Sequence, residues 1–384
     1  MNHNTPCCKM MIKHFSACHI TEGVIFMEKG RKQKRLKIVF CVELALIVVM
    51  GIILFGVMSH TDNEGPKRVE LAEEKLEIPE EIVEAKEEGT SKMKGYMNIA
   101  LFGVDANKDR ELFKGSRSDS TMIASINMDT GDIKLVSVFR DTYLNIGTDE
   151  YDKCNAAYSY GGAEQAVKML NMNLDMDITN FVTVGYRGLS EVINGLGGVY
   201  IDVDEEEIKH INNYQYGIAN VLECEYRAVT ETGLQLLDGV QAAAYCRIRQ
   251  TAGSDFQRTA RQREVIKAIE EQAKQADFAT LSKVFERVVD DIYTSLDEKD
   301  ILALLKNITD YRIVEEAGFP QESMRTTANI GATGNCVIPT DLESNVVWLH
   351  QFLFEDQIYA VTENVLEYGE RIAADTAPYI NRIQ

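Results

Sequence analysis

Positive charge is what this chain is short of: 40 lysines and arginines stand against 60 acidic residues, for a formal net charge of -20. A protein that coats nucleic acid neutralises many phosphates with basic side chains, so this balance excludes that role, and no groove-reading element is present in the sequence. Histidine is scarce, six in 384 residues, and shows neither metal-ligand spacing nor a Ser-His-Asp set. Eight cysteines show no CxxC pair and none of the close spacing of a disulfide scaffold, and the adjacent Cys7 and Cys8 have no ordered histidines beside them. Cys154, Cys224, Cys246 and Cys336 leave pairing open. Internal repeats are absent. What remains, 45% hydrophobic and 26% charged, is the composition of a folded protein with a sizeable core.

One long apolar run breaks the acidic background. IVFCVELALIVVMGIILFGVM, residues 38–58, has Glu43 as its only charge, and at about 1.5 Å of rise per residue it spans roughly the 30 Å core of a bilayer. Lys29, Arg31, Lys32, Lys34, Arg35 and Lys37 precede it and SHTDNEGP follows. Positive charge on the N-terminal side predicts a cytoplasmic tail over 1–37, a single transmembrane helix over 38–58, and an extracellular remainder. A cleaved secretory signal is the competing reading, disfavoured by the length of the run and the lack of a small-x-small cleavage site. Residues 59–95, rich in glutamate, are expected to form an acidic extracellular spacer, 96–373 the folded body, and 374–384 a C-terminal tail.

Within the body, YMNIALFGVD reads as a buried strand ending in Asp105. STMIASINMDTGDIKLVSVFRDTYL reads as two strands joined at Asp129, Thr130, Gly131 and Asp132, a hairpin signal. A helical segment over 163–171, a strand FVTVGY, a helix RGLSEVINGLGG closed by glycines and a strand VYIDV follow. This alternation predicts an α/β fold, a three-layer α/β/α domain whose central sheet is mixed because of the hairpin. Asp238 is placed to cap the helix GVQAAAYC, and residues 256–273 form a second helix in which Arg258, Arg261 and Gln262 share a face. Amphipathic helices are expected over 275–310, then a strand and a helix in CVIPTDLESNVVWLHQFLF.

Four stretches hold charge that ordinary packing does not require: FGVD, ending in Asp105; GSRSDSTMI, with Arg117 and Asp119; SVFRDTY, with Arg140 and Asp141; and RIRQTAGSDFQRTARQREVI, with arginines at 247, 249, 258, 261 and 263. The acidic groups flank strand-like runs, where loops build the sites of α/β folds. Guanidinium forks bind phosphate oxygens bidentately, and paired aspartates hold Mg²⁺, so the combination points to a diphosphate with a metal. Surface salt bridging is the bland alternative.

Over residues 98–373 the chain resembles the LytR-CpsA-Psr family of cell-wall glycopolymer ligases. The motifs LFGVD, RSDSTMI, SVFRDTY, DKCNAAYSYGG, VINGLGGVYIDV, GLQLLDGVQAAAYCRIR and DFQRTARQREVI stand in that family's order. The resemblance implies a membrane-anchored extracellular enzyme. It would move an anionic glycopolymer (teichoic acid, capsular or another secondary polysaccharide) from a polyprenyl diphosphate carrier to a peptidoglycan sugar hydroxyl, releasing the lipid diphosphate. It implies Mg²⁺ on Asp105 and Asp119, and a diphosphate surrounded by Arg117, Arg140, Lys153, Arg247, Arg249, Arg258 and Gln262. Asp141 is expected to orient Arg140 or act on the metal site, and Asp255 is a weaker candidate for general base. Arg263 is expected to be structural; Arg261 is left unassigned. Apolar segments at 163–196 and 275–310 are expected to line a tunnel for the polyprenyl tail. A transcription attenuator and a non-catalytic lipid binder are the competing functions. The first lacks a helix-turn-helix pattern. The second sits poorly with intact Asp105, Asp119 and the arginine set.

Overall fold

Ile99/Ala100, Ile123/Ala124 and Leu135/Val136 are adjacent residues buried on opposite sides of one sheet, the period-two pattern of strands covered on both faces. The computed structural model describes residues 67–69, 71–104, 112, 115–250, 254–288, 291–296 and 311–380. The expected transmembrane helix over 38–58 and the tail before it lie outside these residues. Among the described residues no helix is long and apolar enough to cross a membrane.

In chain order the strands are β1 (Lys67–Arg68), β2 (Tyr96–Val104), β3 (Ser118–Asn127), β4 (Asp132–Val138), β5 (Tyr143–Asn145), β6 (Tyr151–Lys153) and β7 (Asn180–Val184), then β8 (Val199–Val203), β9 (Gly233–Leu237), β10 (Ile292–Thr294), β11 (Arg312–Phe319), β12 (Arg325–Ile330) and β13 (Gly334–Pro339). The helices are α1 (Glu80–Glu88), α2 (Asn155–Leu174), α3 (Tyr186–Gly195), α4 (Glu205–Leu222) and α5 (Gly239–Tyr245), then α6 (Ser254–Gln275), α7 (Phe278–Val288), α8 (Leu342–Phe354) and α9 (Glu363–Ile380).

The main sheet runs β1-β10-β7-β2-β3-β4-β11. The pairs β2/β3, β3/β4 and β7/β10 are antiparallel, while β2/β7, β4/β11 and β1/β10 are parallel, so the sheet is mixed. The hairpin forms where expected: Gly131 sits at φ +75°, and the Asn127 side chain accepts from the amides of Asp129 and Thr130. Helices α3 to α7 cover the face carrying Ile99, Ala124, Ile126 and Val182, and α1, α2, α8 and α9 cover the face carrying Ala100, Phe102, Ile123 and Phe181. Asp238 caps α5 with a capping box to Gln241, as its position predicts.

Four expectations change. VYIDV does not join the main sheet; as β8 it pairs antiparallel with β9 in a separate two-stranded sheet. The helix expected over 163–171 is longer, starting at Asn155 and passing through a break at Gly162 (φ +70°). The glutamate-rich stretch is not an exposed spacer from Lys67 onward: β1 pairs with β10, and Leu76, Ile82 and Met93 are buried in the core. Apolar residues spaced among glutamates gave α1 one inward face. Residues 374–380 of the expected tail are likewise the last two turns or so of α9, with Thr376 buried and its hydroxyl donating to Ile372 O.

Candidate functional site

The ends of β2, β3 and β4 at one edge of the sheet position the acidic groups. Gly103 pairs with Ser120 and Val104 with Ser118, so Asp119 is the extra residue of a β-bulge. A bulge re-aims its side chain, which is why such features recur beside active sites. Arg140 and Asp141 follow the end of β4, and the short β5/β6 hairpin brings Lys153 back beside them. Arg247 and Arg249 leave the C-terminal end of α5, and α6 supplies Asp255, Arg258 and Gln262.

Asp119 is the hub. Its Oδ1 accepts from Arg140 Nη1 at 2.7 Å, its Oδ2 lies 3.0 Å from Arg258 Nη2, and Arg249 Nη2 stands at 3.9 Å. Arg258, with a side chain only 3% exposed, also donates to the Asp119 carbonyl at 2.7 Å. Asp141 lies 3.5 Å from Arg140 Nε and 3.3 Å from Lys153 Nζ. Asp255 pairs with Arg249 Nε at 3.6 Å and Arg258 Nη1 at 3.5 Å. Behind the ion pairs, Phe139 and Phe256 meet edge to face at 4.7 Å, and Arg325 lies over both rings, so apolar neighbours fix the residues next to Arg140 and Asp255.

With Arg247, five cations stand around three carboxylates among the described residues, a surplus of positive charge there in an acidic protein. Among the described residues, Arg140 Nε and Arg258 Nε and Nη1 are buried donors without a hydrogen-bond acceptor. A bound anion offers them acceptors. Burial holds the Asp255 carboxyl above the usual carboxylate range; Asp141 and Asp119 push the same way, and Arg249 and Arg140 oppose them.

The cluster opens into a cavity of about 230 Å³ between the sheet and helices α3, α6 and α7. Asp119, Ser120, Arg247, Arg258 and Gln262 form its polar end; Leu101, Met122, Ala124, Val182, Val192, Val265, Ile269 and Val288 are among its apolar walls. The two segments expected to line a tunnel are therefore divided. Val182, Val184, Tyr186, Leu189 and Val192 of the first and Val288 and Ile292 of the second do line it, whereas residues 163–174 belong to α2 on the opposite face of the sheet. The strands β2 and β3 supply walls that the sequence did not reveal, because a strand buried on both faces shows no distinguishing pattern.

The structure brings together Asp119, Arg140, Asp141, Lys153, Arg247, Arg249, Arg258 and Gln262. Arg117 is exposed just before β3 and joins none of these ion pairs. Asp105 lies outside the described residues, as do the central residues of the loop joining Arg249 to Asp255. Arg261 does not share the site with Arg258: its Nε donates to Glu207 at 2.8 Å in a buried pair, beneath Tyr245. Arg263 is structural, donating to Ser137 Oγ at 3.1 Å. Replacing Arg261 with methionine strands the buried Glu207 carboxylate, and is expected to cost about 3 kcal/mol in urea unfolding while leaving the KM for substrate unchanged. Sequence reasoning missed Arg325, Tyr186 and Tyr214, none of which lies among the charged motif residues. The cysteines at 154, 224, 246 and 336 are free thiols, all buried except Cys224.

Known proteins resemble this chain in sequence and fold. Residues 58–338 match the model of the LytR_cpsA_psr family. Polyisoprenyl-teichoic acid–peptidoglycan teichoic acid transferase TagT of Bacillus subtilis is 30% identical over 225 residues, 58% of this chain and 67% of the relative. The transferase TagU of Enterococcus faecalis is 28% identical over 289 residues, 74% of this chain and 85% of the relative. Among solved structures, TagT bound to LI-WTA superposes with a TM-score of 0.54 at 25% identity, covering 70% of this chain and 92% of the other. Protein gbs0355 of Streptococcus agalactiae gives a TM-score of 0.57 at 26% identity, covering 72% and 92%.

Proposed function

Because the chain belongs to the LytR-CpsA-Psr family, we propose that it is a glycopolymer transferase. In this reading it moves an anionic polymer of the teichoic acid class from a polyprenyl diphosphate carrier to a peptidoglycan sugar hydroxyl. The observation that carries the reading is a cluster of guanidiniums standing at the mouth of an apolar cavity. A diphosphate on a hydrocarbon tail is the ligand whose two ends match those two environments. The names of TagT and TagU support teichoic acid as the polymer and peptidoglycan as the acceptor. The apolar run at 38–58 anchors the chain, with the catalytic domain outside the cell.

Each group then has a task. The acceptor hydroxyl attacks the phosphorus that carries the polymer, the P–O bond to the lipid phosphate breaks, and lipid phosphate leaves in place of the lipid diphosphate first expected; Arg140, Arg249 and Arg258 neutralise the diphosphate and stabilise charge on that departing oxygen, which a preorganised site does without reorganisation. Arg247, Gln262 and Lys153 hold the phosphates in register, Asp141 orients Arg140 and Lys153, and Arg117 meets the donor from the exposed rim. Asp255 accepts the proton of the acceptor hydroxyl.

Mg²⁺ belongs to the proposal, on Asp105 and Asp119. Val104, the residue before Asp105, pairs with Ser118, the residue before Asp119, and two carboxylates suit a hard cation. Phosphate oxygens of the donor would supply the remaining ligands. A bound ion supplies charge neutralisation on those oxygens.

Conjugate formation by the full chain, followed against pH, tests the assignment. Asp255 works ionised, so the rate should fall on the acid side through a pKa above the usual carboxylate range, with Asp141, Asp119, Arg249, Arg258 and Arg140 setting its position. Asp255→Asn should lower the rate about a hundredfold and remove that acid limb. The same raised pKa makes the folded state favour the protonated form. This contribution to stability is greatest below the unfolded-state pKa of about 4 and is lost as pH rises through the folded value, so the asparagine variant should melt higher than the wild type at neutral pH. An acid limb unchanged in Asp255→Asn would assign the base elsewhere.

A further inference from the structure

Arg247 is held differently from the other cations of the site. Among the contacts that place it, its guanidinium lies 5.1 Å from the ring of Tyr186 and 5.5 Å from the ring of Tyr214, while the residue lines the polar end of the cavity. Tyr186 begins α3 and lines the cavity as well; Tyr214 lies in the middle of α4, a helix that contributes nothing else to the site. Both rings pack against the hydrophobic core, so their positions are fixed from behind. Tyr214 has a second contact. Its hydroxyl meets the amide group of Gln250, 2.6 Å from Nε2 and 2.9 Å from Oε1, and Gln250 follows Arg249. Gln250 Oε1 also lies 3.4 Å from the backbone nitrogen of Arg249.

We propose that Tyr214 and Tyr186 are positioning residues for the transfer reaction: their rings clamp the Arg247 guanidinium at the cavity mouth, and the Tyr214 hydroxyl anchors the Arg247–Gln250 segment through Gln250. A flexible arginine must lose rotamer freedom to bind phosphate. Aromatic rings beside the guanidinium confine it beforehand through its face rather than its N–H edge. The clamp thereby lowers the entropic cost of donor binding. The inference rests on the reading of Arg247 as a diphosphate ligand.

The test uses the full chain in detergent, with geranylgeranyl diphosphate as the binding probe and KM and kcat for lipid-linked donor in conjugate formation. Arg247→Ala should weaken probe binding about tenfold or more, as loss of a charge-assisted phosphate contact does. Tyr214→Leu should weaken it about five- to tenfold, acting on KM rather than kcat, and Tyr214→Phe, which keeps the ring, should restore most of the affinity. In the Arg247→Ala background Tyr214→Leu and Tyr214→Phe should differ in affinity by less than about twofold, because the ring has no effect without the guanidinium it holds. Tyr186→Leu reads the second ring independently, with the same expected loss. If Arg247→Ala binds weakly but both leucine variants bind as the wild type, or their losses add fully to that of Arg247→Ala, the clamp is wrong and the donor site stands. If Arg247→Ala itself binds as the wild type, Arg247 is no donor ligand, and the clamp falls with it.

Discussion

Asp119→Ala is expected to reduce conjugate formation by about a thousandfold or more. The Asp119 carboxylate holds Arg140 and Arg258 by direct ion pairs and stands 3.9 Å from Arg249. Removing one preorganised donor from a charge-stabilising site typically costs about a hundred- to a thousandfold in rate, and this substitution releases more than one. Three guanidiniums drawn together by one carboxylate repel one another once it is gone. The same change removes a proposed Mg²⁺ ligand. The fold should survive, because Arg258 keeps Asp255 and the residue 119 carbonyl as partners. Initial rates measured beside a thermal melt separate loss of the site from loss of the fold. Turnover near the wild-type level would remove Asp119 from the mechanism.

Filling the cavity should have the opposite signature: a more stable protein that no longer takes its lipid. Folded interiors contain few voids larger than a water molecule. On the proposed function, the hydrocarbon-lined cavity of about 230 Å³ leading to arginines is kept for the lipid tail. Val192 on α3 and Val265 on α6 face it from two sides. Val192→Phe combined with Val265→Phe is expected to raise the melting temperature by a few degrees. It should also weaken binding of long polyprenyl diphosphates by tenfold or more. Inorganic diphosphate has no tail and should bind as before. Equal affinity for the long-chain donor in wild type and filled variant would mean that the tail lies elsewhere.

The sequence made the chemistry of the site more legible than its walls. Asp119, Arg140 and Asp141 stand out because charge beside strand-like apolar runs needs a reason, Arg247, Arg249 and Arg258 because arginines so dense in an acidic chain need an anion, and the structure gathers all six. The hairpin at Gly131 and the cap at Asp238 were readable because turn and cap chemistry is local. The cavity walls were not. Leu101, Met122 and Ala124 lie on central strands whose two faces are equally apolar, and which face adjoins an empty space is decided by helices far away in sequence. The same limit explains α2, whose apolar stretch is core on the far side of the sheet from the cavity. Arg261 was ambiguous for a different reason. Helical spacing placed it beside Arg258 and Gln262, but its partner Glu207 lies 54 positions away on α4 and captures it in a buried pair. Tyr214 was invisible because an aromatic residue on an amphipathic helix ordinarily reads as core.

The measurement closest to the central claim follows the polymer itself. The full chain in detergent would be given a lipid diphosphate-linked teichoic acid labelled in its sugars, a peptidoglycan oligomer and Mg²⁺. Label should appear in a conjugate with peptidoglycan, with lipid phosphate released in parallel, and should do neither in Asp119→Ala. Label that stays wholly on the lipid, bound by the protein but never transferred, would contradict the assignment and make the chain a lipid-binding protein.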